Sequence, residues 1–90
     1  MKHASPATIA KLGLLLVRIR NAGRLTERKP GTFYLGPKAF LHFHEDPAGL
    51  FADVKLDLAG FTRFAVNTRA EQDALVHAVS QALSSQCSVR

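Results

Sequence analysis

The run His42-Phe43-His44-Glu45-Asp46 holds the residue types in this chain that could do chemistry. On an extended strand alternate side chains share a side, so His42 and His44 point the same way, about 7 Å apart at the backbone. Two imidazoles at that separation can converge on one divalent ion. A third ligand from Asp53 on the neighbouring strand, or from Glu45, would complete the open three-ligand arrangement of a catalytic zinc. The plainer expectation is that His42 pairs with Asp53 across the strands, while His44 caps the following turn or lines an exposed face. Such a His–Asp pair titrates near neutral pH. The other histidines offer no obvious route in, because His3 is expected in an N-terminal tail and His77 away from the apolar stripe of the last helix.

A second cluster is basic: Arg18, Arg20, Arg24, Arg28 and Lys29 stand against a single acid, Glu27. An arginine-rich helix end and loop can hold phosphates, which makes an anion or nucleic-acid site the alternative to the histidine face. Cations at a helix C-terminus are also favourable in their own right, and neither a helix-turn-helix nor an RNA-recognition strand accompanies these residues. Nucleic acid is therefore not the favoured partner. Nucleophilic catalysis finds little support. Cys87 lies in a polar tail, the serines at 80, 84, 85 and 88 have no base arranged beside them, and no glycine-rich phosphate loop is present.

The elements that must position these groups follow from composition and periodicity. A chain of 90 residues, 47% apolar and 21% charged, is expected to form one globular domain with a thin core. One cysteine permits no internal disulfide, which fits a cytoplasmic location. The longest strictly apolar run, Leu14–Val17, is far too short to span a bilayer. The net charge of +5 favours association with anionic surfaces.

Ser5-Pro6 begins a helix, serine capping free amides and proline suiting the first turn. Ile9, Leu12, Leu15, Leu16 and Ile19 form its buried stripe, and Gly23 stops it after Ala22. Gly13 inside this helix implies close contact with the sheet. Residues Arg24–Gly31 read as a connector. Strands are expected at Thr32–Leu35, Lys38–His44, Leu50–Leu56 and Phe61–Val66, with turns at Gly36-Pro37, Glu45–Gly49 and Asp57–Gly60. Thr68 and Glu71 form a capping box for a second helix, which fades by Ser84-Ser85. The fold expected is α+β, a two-layer sandwich in the order helix, four-stranded antiparallel meander, helix. Residues 1–4 and 85–90 are expected to be flexible.

Register assigns the faces. Pairing Ala39, Leu41 and Phe43 with Leu50, Ala52, Val54 and Leu56 puts two apolar rows beneath the helices, joined by Phe64 and Val66. The opposite face then carries Phe40, His42, His44, Phe51, Asp53 and Lys55, with Phe61 and Arg63 from the last strand. A tight Gly36-Pro37 turn would add Phe33 opposite Phe40. So many phenylalanines on one open face call for a cover, most simply a homodimer or a protein partner. A binding or assembly module using that face is the leading functional expectation. The anion binder and a zinc-dependent enzyme using His42, His44 and Asp53 are the alternatives.

Over residues 29–83 the run GTFYLGPKAFLHFHEDPAGLFADVKL and the later FTRFAVNTRAEQDALVHAV resemble small bacterial proteins of unknown function that carry an AFLHFHEDPAGLFADV-type core and end in a helix. The His42-x-His44 strand before a short apolar strand is also similar to luciferase-domain-like sequences. The first resemblance implies a bacterial source, and neither supplies catalytic residues.

Overall fold

A computed structural model describes residues 2–57 and 60–87. Their order is β1 (Lys2–His3), α1 (Pro6–Lys11), α2 (Gly13–Arg20), β2 (Thr26–Lys29), β3 (Thr32–Leu35), β4 (Lys38–Asp46), β5 (Gly49–Asp57), β6 (Gly60–Ala65) and α3 (Arg69–Cys87). The expected α+β architecture is present. The sheet is antiparallel in the order β2-β3-β4-β5-β6, and β1 pairs with β4 beyond the end of β3. Among the described residues no helix is long and apolar enough to cross a membrane.

One core joins the two layers. Leu12, Leu15, Leu16 and Ile19 meet Leu75, Val79, Ala82 and Leu83, and both groups pack on Leu41, Phe43, Ala52 and Val54. The helices therefore cover one face of the sheet, as the apolar rows require. Capping matches the local chemistry. The Thr8 amide donates to Ser5 Oγ at 3.3 Å, and Thr68 and Glu71 exchange reciprocal 3.1 Å bonds at the start of α3. Gly36 takes a φ of 63° in a two-residue turn between Leu35 and Lys38. With proline second, only the first central residue can be left-handed, which fits a type II′ turn.

Several expectations are corrected. The N-terminal helix is broken at Leu12, where φ −94° and ψ 16° leave helical geometry, and it ends at Arg20 rather than Ala22. Gly13 follows that break, and a Cβ built on it meets nothing within 4 Å, so no sheet contact explains it. The connector contains β2, which pairs with β3 by a shifted register. Helix α3 continues through Ser84-Ser85 to Cys87. Lys2 and His3, expected to fray, are strand residues paired with Glu45 and His44. Met1, positions 58–59 of the expected turn, residues 88–90 of the expected tail and the Cys87 side chain lie outside the described residues.

The largest change is a bulge. Phe33 pairs with Leu41 and Tyr34 with Ala39, so Phe40 is an extra residue on β4. A bulge interrupts strict alternation and re-aims a side chain. Phe40 and Leu41 are consecutive, yet both are buried, at 2% and 0% exposure. Phe33, opposite Leu41, is 1% exposed. Both phenylalanines thus belong to the core and not to the open face. Ala39, expected inward, stands opposite Tyr34 and outside the core cluster.

Candidate functional site

The helix-free face is built from the remaining out-pointing residues of β4, β5 and β6. The pairings His42↔Asp53, His44↔Phe51, Asp53↔Arg63 and Lys55↔Phe61 place these side chains on one surface. His42, His44, Phe51 and Lys55 are half-buried, Asp53 is 8% exposed, and Phe61 is 46% exposed. The inward rows Phe43↔Ala52 and Ala52↔Phe64 confirm the register from the other side.

Strand β1 brings a third imidazole. His3 is the antiparallel partner of His44, and the Ala4 amide donates to the Phe43 carbonyl at 3.1 Å. Glu45 holds this segment in place. Its Oε1 accepts from the Ser5 amide at 2.8 Å and from Thr8 Oγ1 at 2.6 Å. Glu45, offered by the sequence as an alternative third ligand, is engaged in these contacts and is not among the residues gathered with the imidazoles. His3, His42 and His44 each present a ring nitrogen, and the three lie within 4.8 Å of one another. Their ring centroids are 4.7 to 5.8 Å apart.

His42 Nδ1 and His44 Nε2 share a hydrogen bond of 2.8 Å. His44 Nε2 is also 3.2 Å from Asp53 Oδ2, whereas His44 Nδ1 is buried with no hydrogen-bond partner among the described residues. Asp53 was expected to pair with His42. It lies opposite His42 along the strand, but its carboxylate is gripped by the Arg63 guanidinium, Nε to Oδ1 at 2.8 Å and Nη2 to Oδ2 at 2.9 Å. A planar fork matches both carboxylate oxygens at once, which a single imidazole cannot do. The Arg63 fork is the main cause holding the Asp53 carboxyl below the ordinary carboxylate range. Burial, and then the neighbouring His44 ring, push the His42 imidazole below its ordinary value, so it favours the neutral form. Phe61 closes the edge of the cluster, its ring 5.0 Å from that of His42 and with Lys55 Nζ 5.9 Å from its centroid.

Of the residues expected at this face, His42, His44, Phe51, Asp53 and Lys55 are brought together and Phe40 is not. Two were missed in these roles. Arg63 was placed outward but not paired with Asp53, although counting back along the β5–β6 hairpin sets the two opposite. His3 carried no local signal, since two strand residues ahead of a helix cap cannot be told from a tail.

The basic cluster is dispersed among different partners. Arg18 bonds Asp73 at 2.7 Å, Arg20 grips Glu27 with both nitrogens, and Arg28 lies 4.3 Å from the Tyr34 ring centroid. Arg24 sits in a left-handed turn residue with φ 66°, and Lys29 ends β2. Comparison with protein-family models, with curated proteins and with solved structures returns no match.

Proposed function

We propose that this chain is a binding module whose working surface is the helix-free face of the sheet, centred on His42 and His44 and engaged by a second copy of the chain or by a partner protein. The observation that carries the reading is the gathering of three imidazoles, the Asp53–Arg63 pair and Phe61 on the face away from all three helices. Aromatic and arginine side chains are enriched at interfaces. With Phe33 and Phe40 in the core, the face keeps Phe51 and Phe61 as its phenylalanines and is more polar than expected.

The other readings draw less support. An anion site at Arg18–Lys29 has Arg18 and Arg20 already neutralised by Asp73 and Glu27. A metal-dependent enzyme built on His42, His44 and Asp53 would have to take its carboxylate from the Arg63 fork.

Light scattering tests the self-association form. Wild type is expected to exceed monomer mass at high micromolar concentration, and Phe61→Ala to return it to monomer without loss of folded signal. A wild-type chain that stays monomeric throughout removes that form and leaves only the partner protein.

A further inference from the structure

We infer that His3, His42 and His44 form a site for one zinc-class divalent ion, and that ion binding fastens the N-terminal strand β1 to β4. The inference deepens the proposed binding surface by naming a ligand for its centre.

Distance supports a common ion. Three nitrogens about 2.0–2.1 Å from one tetrahedral zinc lie roughly 3.3 Å from each other. The His42–His44 pair is already at 2.8 Å, and all three nitrogens fall within 4.8 Å. The remaining adjustment is on the order of 1–2 Å for a tetrahedral site. His3 can supply it, because it is exposed and its strand is two residues long. His42 and His44 sit on a nine-residue strand hydrogen-bonded on both sides, so they form the rigid half of the site.

Donor chemistry narrows the ion. Three imidazoles suit zinc, copper, nickel or cobalt, whereas magnesium and calcium prefer oxygen. Asp53, clamped by Arg63, lies 3.2 Å from His44 Nε2, the nitrogen that also approaches His42, and so sets a carboxylate beside the ion position. Three basic rings repel one another when protonated, and only one hydrogen bond joins them.

Coupling to β1 follows from linkage. One ligand comes from β1 and two from β4. Among the described contacts of the β1 segment are its ladder to residues 44–45, the Ala4–Phe43 bond and the Glu45 contacts. A two-residue strand opens at lower cost than the nine-residue strands β4 and β5. An ion that needs all three rings binds only the docked form and so stabilises it by mass action.

The test uses the full tag-free chain, titrated with zinc chloride by calorimetry, and backbone hydrogen exchange with and without zinc. One zinc per chain is expected, with His3→Ala weakening binding at least tenfold and His77→Ala leaving it unchanged. Exchange of the Ala4 amide should slow several-fold with zinc and not with magnesium. Absence of zinc binding in the wild type, or equal affinity in His3→Ala, overturns the site. Bound zinc with unchanged Ala4 exchange overturns the fastening of β1. His3 is exposed, so its replacement leaves the fold intact. Loss of zinc binding with self-association preserved removes the ion alone. Zinc binding by a chain that remains a monomer removes the self-association form instead.

Discussion

At the residue scale, the described carboxylates are each engaged by a cation, an amide or a hydroxyl. Glu27 is one example: Arg20 donates to it through two nitrogens and the Gly31 amide donates at 3.0 Å. The Arg20 bonds lead the causes that hold its carboxyl below the ordinary range. Because the folded value is lower than the unfolded one, the unfolded chain binds the proton more readily. The Glu27 contribution is therefore present above an unfolded pKa of about 4.3 and is lost as pH falls through the lower folded value. Glu27→Gln is expected to flatten the fall of stability below about pH 4.3, read by urea unfolding at stepped pH. An unchanged slope would mean that the Arg20 pair contributes nothing measurable, as exposed pairs often do. At this same scale the outer-face members on β5 were legible, because hairpin register sets Asp53 and Lys55 on one side. The destination of the Asp53 carboxylate was not, because two candidate partners, His42 and Arg63, flank it on neighbouring strands and only side-chain geometry chooses between them.

At the element scale, caps and turns follow local chemistry closely. The Thr68–Glu71 box is joined by an Asn67 amide that donates to the same Glu71 oxygen at 2.8 Å. Thr68→Ala is expected to destabilise the protein by about 1 kcal/mol, checked by the denaturant midpoint. A change below a few tenths would show that Asn67 and Glu71 hold the helix start alone. Strands β1 and β2 escaped recognition for a different reason. Residues 26–29, Thr-Glu-Arg-Lys, are polar and carry no alternating pattern, and they form an edge strand because β3 offers an open ladder. Gly31 beside them is a case of required glycine: at φ 81° a Cβ would stand 2.5 Å from Ile9 Cδ1.

At the scale of the whole molecule, one cluster of apolar side chains unites α2, α3 and the sheet. A chain of this length is expected to hold a total stability of about 5–13 kcal/mol. Leu15, 1% exposed within that cluster, should therefore matter to every element. Leu15→Ala is expected to cost about 2–5 kcal/mol, with helix signal by circular dichroism and tyrosine fluorescence lost together. Separate transitions for the two signals would contradict a single core.

The starts of α1 and α3, the Gly36-Pro37 turn, strand pairing through β4–β6 and the direction of the inner apolar rows from Leu41 onward were determined by sequence alone, because each depends on residues close along the chain or on a strict two-residue alternation. Tertiary structure decided where alternation breaks and which distant segments meet. The bulge at Phe40 reverses the side of that residue and draws Phe33 inward with it, since burying two aromatic rings outweighs keeping perfect register. The pairing of His3 with His44 spans nearly half the chain, and no local pattern encodes it. It exists because the end of β4 extends beyond β3 and leaves backbone groups that residues 2–4 can satisfy.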